Sequence, residues 1–444
     1  MSRRVCGTAI ACAYVLSPLV GMAQAPITAR DVVQRALQSY AAVDVSQEQV
    51  GAAAAAIRLA RTSYLPRLDT IGQINQATRN NVFGLLLPQG VLPSISGPVL
   101  GTNTTETVWG AAIGVLVSWE PFDFGLRSAN VAAAAASRTR AEAALKRTQF
   151  DVAAQTLDAV LTLAAARATV TAAQAGVDRG EVLVQRVEAL VNAELRPGAE
   201  ASRARAEAAA ARTQLIQAQQ AVAIAQATMT QFVGGNAPDV TVRIPTALPT
   251  AQPAPLVTAN VPVAREQQSV VEQTAAELRA LGRTYFPRVA LQGAAYARGA
   301  DGETVQNYAA GLTVTFPLFD AASIHARQAE RAATLRAEEA RARQIATDLR
   351  ARWSAAVAAL DGARRIAANT PIELDAARAA VDQARARYQA GLGPLVDLAD
   401  AQRLLTSAEI DTALAQLNVW RRLLAVAAAS GDLEPFIATF DSSS

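Results

Sequence analysis

Few residues in this 444-residue chain are of types that do chemistry, and their spacing narrows what that chemistry could be. His325 is the only histidine, and the two cysteines, Cys6 and Cys12, both fall in the first 25 residues. That segment has a short positive start (Arg3, Arg4), an apolar stretch from Val5 to Val20, and Ala23-Gln24-Ala25 before Pro26. This is the pattern of a secretory signal over 1–25, with acylation of Cys12 behind Ala9-Ile10-Ala11 as the alternative processing. A mature chain beginning near Pro26 has no thiol, so disulfides, thiol catalysis and thiolate metal sites fall away. One histidine supports neither a metal cluster nor a Ser/His/Asp constellation, and no Gly-rich phosphate loop follows a strand. The expectation is a protein that is not an enzyme and needs no cofactor. What remains is a pair of carboxylates, Asp397 and Asp400, three residues apart and therefore on one face of a helix. They either concentrate negative charge on that face or serve as acids stabilising a helix start.

The elements that would position such residues are read from composition and pattern. Hydrophobic residues make up 51% of the chain and charged ones only 18%, so disorder is excluded. The formal charge is +3, and removing Arg3 and Arg4 with the signal lowers it to +1, which argues against nucleic acid as a partner. Lys146 is the only lysine. Beyond the signal no run reaches the ~18 apolar residues a spanning helix needs; the best candidate, Ala159 to Ala175, is interrupted by Arg167.

An internal repeat organises the rest. Gly114-Val115-Leu116-Val117-Ser118-Trp119-Glu120-Pro121-Phe122-Asp123 aligns with Gly311-Leu312-Thr313-Val314-Thr315-Phe316-Pro317-Leu318-Phe319-Asp320 at an offset of 197. The same offset pairs Pro197 with Pro394, Glu200 with Asp397, Ala204 with Ala401 and Gly234 with Gly431. Upstream, Tyr64-Leu65-Pro66-Arg67-Leu68 matches Tyr285-Phe286-Pro287-Arg288-Val289 at 221, so the first half carries 24 extra residues. The chain is a tandem duplication of a unit reading helix, strand pair, very long helix, turn, returning helix.

The strands carry the functional signal. Odd positions from Trp109 to Trp119 (Trp109, Ala111, Ile113, Val115, Val117, Trp119) form an apolar face bracketed by aromatics. The second copy repeats it with Tyr308, Ala310, Leu312, Val314, Phe316 and Leu318. Alternation over about ten residues with aromatic ends fits a lipid-facing transmembrane β-strand, and an ordinary half-buried strand is the alternative for either copy alone. Trp109, Trp119, Tyr308 and Phe316 are the candidate membrane girdle. The expected layout places strands at about 68–78 and 108–120 around a loop at 79–107, then a helical hairpin over 125–234, closing a first repeat at 26–236. A Pro-rich connector at 237–262 leads to a second repeat at 263–436, with strands at about 289–298 and 306–318 and a hairpin over 321–430. The residues 437–444 form a tail. Gly125 to Leu195 lacks proline and is rich in alanine, arginine, glutamine and glutamate, a strong helix former. Val177, Val184, Val187 and Val191, and in the second copy Ile345, Leu349, Trp353, Val357 and Leu360, form stripes suited to coiled-coil-like packing. Thr370-Pro371 should kink or break the second long helix.

These features together resemble the TolC family of outer-membrane efflux proteins across essentially the whole mature chain. The carrying residues are the duplication, Leu65-Pro66 and Phe286-Pro287 before the first strand of each pair, Pro317-Leu318-Phe319-Asp320 opening the long helix, and Arg387-Tyr388-Gln389-Ala390-Gly391-Leu392 with Asp397 and Ala401-Gln402 beyond. The resemblance implies a mainly α protein with a transmembrane β-barrel part. It would be a homotrimer whose twelve-stranded barrel continues into a periplasmic α-helical coiled-coil tunnel, located in the outer membrane and reaching into the periplasm. It also supplies what four strands lack alone, since an open sheet edge is not viable in lipid. By the same resemblance Tyr388, Gly391 and Leu392, with Leu195, Arg196 and Gly198 at the first-repeat turn, would dock a periplasmic adaptor protein. Asp397 and Asp400 would line a pore constriction. The first copy departs from the motif, with Val191, Glu194 and Leu195, and the arginine that some relatives carry five residues after the tyrosine is replaced by Gly393.

The function so implied is a passive exit duct for small toxic compounds or drugs, fed by an adaptor and an inner-membrane pump that uses a proton gradient or ATP. The exit duct of a type I protein-secretion system is an alternative. Metal export lacks soft ligands, because Met229 is the only methionine beyond the signal. A soluble periplasmic coiled-coil adaptor or scaffold is the rival from another class.

Overall fold

The computed structural model describes residues 28–78, 107–234, 245, 248–249, 252–253, 255–300, 303–316 and 320–442. The signal with Cys6 and Cys12, nearly all of the 79–107 loop, Pro317-Leu318-Phe319 and most of the 237–262 connector lie outside those residues.

Two short helices, α1 (Ala29–Ser39) and α2 (Ala41–Thr62), lead into β1 (Arg67–Thr78) and β2 (Thr107–Phe122). Then come α3 (Leu126–Asn192) and the returning α4 (Gly198–Val233). The second half gives α5 (Pro262–Gly282), β3 (Arg288–Ala300), β4 (Glu303–Thr315), α6 (Ala321–Gln389) and α7 (Leu395–Ser430), with a last helix, α8 (Glu434–Ser442). The repeat is carried into the backbone: α4 and α7 start and end at positions 197 residues apart, each behind a proline cap and ahead of a positive-φ glycine, Gly234 or Gly431. At ~1.5 Å per residue the 67 residues of α3 and 69 of α6 each reach about 100 Å. Thr28 opens α1 with a capping box, its hydroxyl accepting from the Asp31 amide while the Asp31 carboxylate accepts from the Thr28 amide.

The four strands form one antiparallel sheet in the order β1-β2-β3-β4, so the two repeats join through the β2–β3 ladder. On the inner face Leu116, Ala294 and Tyr296 are buried, backed by Ile71 and Ala112. Gly114 is needed there: a Cβ would stand 2.5 Å from the Tyr296 Cβ. The opposite face presents Leu68, Ile74, Trp109, Ile113, Leu291 and Leu312, all exposed. Both sheet edges, β1 and β4, are unpaired among the described residues.

Below the sheet α3 is the hub, packed against α2, α4, α5 and α7. One 18-residue window of α3 matches a membrane span in hydropathy, and 44% of it is buried inside the protein. Small side chains set the spacing, with Gly180 facing the Ala208 backbone at contact distance.

Three expectations need correction or refinement. The strand placed at 306–318 spans Glu303–Thr315: its ladder with β3 runs from Ala300↔Glu303 to Arg288↔Thr315, and Pro317 has no amide hydrogen with which to extend it. The expected tail at 437–444 is helical as far as Ser442. Phe436 and Phe440, one helical turn apart on α8, bury themselves edge-on against Trp420 with ring centroids 6.1 and 5.1 Å away, and Asp441 accepts the Ala29 amide at 2.9 Å. Of the kink or break expected at Thr370-Pro371, the break does not occur, and α6 continues through Pro371. Packing along α7 holds it, and the Thr412 hydroxyl donates to the Thr370 carbonyl at 3.3 Å.

Candidate functional site

Two regions place charged and aromatic side chains in defined geometry: the two hairpin tips at the far end of the helices, and the roots where strands become helices.

The tips share one backbone. In each, the last turn of the long helix closes with a left-handed residue, Glu194 (φ 58°) or Gly391 (φ 75°), followed by an exposed leucine, Leu195 or Leu392. The Leu195 amide donates to the Leu190 carbonyl at 2.9 Å and the Leu392 amide to the Arg387 carbonyl at 2.8 Å. Companion bonds run from Glu194 to Val191 and from Gly391 to Tyr388. This is a Schellman ending, whose left-handed position favours glycine and bears a strain in Glu194.

Side chains then make the tips unequal. Tyr388 is only 5% exposed, in a cluster with Leu183, Val187, Leu395 and Leu398. Its hydroxyl donates to Glu200 Oε2 at 2.8 Å. The Arg196 guanidinium lies 4.7 Å above its ring and donates to its carbonyl at 3.0 Å. Burial, followed by the Glu200 carboxylate accepting the phenolic proton, pushes the Tyr388 hydroxyl up to about 12. Arg196 and Glu200, from the first hairpin, thus clasp Tyr388 from the second. The repeat equivalents of these three residues are Gly393, Asp397 and Val191, which cannot build the reciprocal clasp. Arg196 therefore occupies the repeat image of the position where the arginine is missing.

The carboxylates Asp397 and Asp400 are both exposed in the first turns of α7. Asp400 pairs with Arg403, which also approaches Glu207 at 3.5 Å, whereas no partner is seen for Asp397 among the described residues. Gly198 opens α4 in free space. A groove of about 570 Å³ runs beside the clasp, with Leu183, Leu190, Leu195 and Arg186 in its walls. Above it Arg179 grips Glu409 with both terminal nitrogens, at 3.2 and 2.7 Å, tying α3 to α7.

At the roots the sequence reading missed a buried pair. Asp123 accepts from the Arg127 amide and from its Nε at 3.0 Å, and Arg127 also donates to the Ser63 and Pro121 carbonyls, both at 3.2 Å, while lying over Tyr64. Burial pushes the Asp123 carboxyl up, but the Arg127 hydrogen bonds outweigh it and hold it below the usual carboxylate value. The i,i+4 spacing at the helix start was the available signal. The candidate girdle divides. Trp119 sits at the root, its indole donating to the Tyr64 carbonyl at 3.1 Å, Trp109 stands 64% exposed toward the hairpin end, and Phe316 lies just past β4. Tyr308, 92% exposed, is at mid-height instead of at a rim, because it pairs with Ala295, which in turn pairs with Val115. The three-residue displacement of β4 moves it inward.

The sequence matches the family model described as outer membrane efflux protein over residues 32–235 and 256–432. The chain belongs to the outer membrane efflux protein family. The fold is also that of solved outer-membrane channels. The chain is 21% identical to the outer-membrane channel OprN, with a TM-score of 0.75, covering 91% of this chain and 89% of that one. It is 14% identical to the Campylobacter jejuni CmeC channel, with a TM-score of 0.76 over 94% and 87% of the two chains. For the Neisseria gonorrhoeae MtrE channel, solved in its open state, the values are 18%, 0.71, 91% and 89%. No curated protein sequence matches. Membership makes this chain an outer-membrane efflux duct that extends into the periplasm.

Proposed function

We propose that three copies close one twelve-stranded barrel and that this homotrimer is the passive exit duct of a tripartite system. A periplasmic adaptor engages the tips, an inner-membrane pump driven by a proton gradient or ATP delivers the cargo, and small toxic compounds leave through the lumen. The observation that carries this reading is the open sheet: β1 and β4 have no strand partner among the described residues while the face between them is exposed and apolar. Lipid does not tolerate such edges, so other copies must supply the missing ladders. Detergent extraction followed by native mass tests it, with a trimer's mass expected and a soluble monomer or dimer overturning it in favour of a scaffold.

At the tips, the exposed Leu195 and Leu392 and the groove beside them are the surfaces offered to the adaptor, with the buried Tyr388 fixing the distance between the hairpins. Asp397 and Asp400 of three copies would place carboxylates around the narrow end. Conductance of planar bilayers containing Asp397→Ala with Asp400→Ala measures this: weaker block by trivalent cations is expected, and unchanged block removes the ring.

A further inference from the structure

The roots of the four strands carry a basic collar that the duct function does not use. Within the sheet charges are sparse, but the segments where strands meet helices place Arg58 and Arg61 on α2, Arg279, Arg283 and Arg288 around the start of β3, and Arg327 on α6. All six are exposed, and no acidic partner is seen for any of them among the described residues. Of the neighbouring acids, Asp69 pairs with Arg67, Glu277 with Arg331, and Asp123 with Arg127, while Glu120, Asp320 and Glu330 make no ion pair among the described residues, so six unpaired arginines face three unpaired carboxylates. Along the hairpins Arg138, Arg147, Arg179, Arg205, Arg212 and Arg421 each hold a carboxylate, while others, Arg186 and Arg203 among them, show no acidic partner among the described residues.

The collar is continuous with the lipid-facing surface. Phe124 stacks on Phe286 at 6.0 Å, Tyr285 meets His325 at 5.3 Å, Arg283 lies over Phe286, and Trp119 is tied to Tyr64, so the four roots form one aromatic-rich band. Leu65 and Phe122 stand exposed in that band, 65% and 68%, beside the guanidinium groups. Apolar and aromatic groups at headgroup depth with unpaired arginines just beyond them match a phospholipid whose chains lie along the sheet and whose phosphate lies at its foot.

We propose that this collar binds anionic phospholipid headgroups of the periplasmic leaflet and so fixes the depth at which the duct sits. The inference rests on the outer-membrane reading. Detergent-extracted protein is mixed with phosphatidylglycerol and phosphatidylcholine of matched chains, and retained lipid is counted by native mass spectrometry. The wild type is expected to retain phosphatidylglycerol preferentially, and Arg→Gln at the six positions to reduce that preference at least about tenfold, since each arginine near an anionic surface contributes about fivefold. If the sixfold variant does not assemble, Arg58→Gln with Arg61→Gln, and separately Arg279→Gln with Arg283→Gln, should each lower the preference while Arg212→Gln in the hairpin leaves it unchanged. Equal retention of the two lipids by the wild type, or a preference the variants keep, overturns the proposal. Displacement of phosphatidylglycerol by equimolar inorganic phosphate overturns the assignment to lipid in favour of a simple anion site. Protein recovered without detergent fails the outer-membrane reading itself, a result distinct from either.

Discussion

The two hairpin tips have the same backbone and different chemistry. Both end a long helix in a Schellman turn, present a leucine and restart behind a proline, at positions 197 residues apart. Yet the cation and the acid that make a contact between hairpins, Arg196 and Glu200, lie on the first tip, and the ring that receives them, Tyr388, lies on the second. The reverse combination pairs Gly393 and Asp397 with Val191 and makes nothing. The duplication therefore preserves the geometry that builds a ring of like hairpins, while divergence of three side chains makes alternate seams unequal. In the proposed trimer the seam inside each protomer is clasped and the seam between protomers lacks that clasp, so spreading of the tips would start between protomers.

The roots show the same asymmetry, and breaking it should give the largest effect. Asp123 and Arg127 form a buried pair in the first repeat; their images are Asp320 and Ile324, the latter buried without a charge. Arg127→Ile copies the second repeat but leaves Asp123 without its cation, at a cost of about 3–5 kcal/mol. A lower apparent Tm of the extracted protein is expected, and an unchanged one would show that Asp123 finds water or another donor. Acid should bring wild type and variant together. A depressed carboxyl stabilises the fold above its unfolded value and loses that contribution as pH falls through the folded one.

Next in size is the clasp itself. Arg196→Gly, again copying the other repeat, removes a guanidinium stacked on a ring and a bond to a carbonyl, together about 1–2 kcal/mol. The readout is hydrogen exchange at the start of α4, which should accelerate; Arg203→Ala, which removes a guanidinium with no partner seen among the described residues and keeps the helix propensity of α4, should not accelerate it.

The fold was largely legible because a constant offset and period-2 alternation survive divergence, and both depend on backbone periodicity. The sites were less so. The motif around Tyr388 implied adaptor docking by resemblance, and the burial of its ring shows only in the packing of Leu183, Val187 and Leu395 around it. Glu200 was in plain view as the repeat image of Asp397, yet its role depends on the other hairpin lying 2.8 Å away, which no local pattern encodes. Tyr308 was misplaced because alternation gives a strand's faces and not its ends. The helix within the 437–444 tail was not legible because the apolar face of α8, Phe436 and Phe440, is only one turn long.

The left-handed turn residues sharpen the comparison by a smaller amount. Glu194 at φ 58° bears a strain that Gly391 does not, so Glu194→Gly should stabilise the first tip and Gly391→Ala destabilise the second, each by about 1 kcal/mol. Opposite shifts of Tm are expected, and shifts of the same sign would mean that the two turns are not equivalent.

The last comparison is the pH response of the clasp, visible only in alkali. The Tyr388 hydroxyl is raised to about 12 because the neutral phenol donates to Glu200 and a phenolate there would be both poorly solvated and repelled by the carboxylate. A raised value means that the stabilisation is complete below the ordinary tyrosine value near 10 and is lost as pH rises through the folded one. Between about pH 10 and 12 the wild type should therefore lose the stability difference that separates it from Tyr388→Phe. Tyrosinate absorbance supplies an independent check: the slowest-rising fraction of the wild-type titration should be absent from Tyr388→Phe and should shift toward 10 in Glu200→Gln, which keeps an acceptor but removes the charge. If Glu200→Gln titrates like the wild type, burial alone raises the phenol, and the asymmetry between the tips would then rest on Arg196.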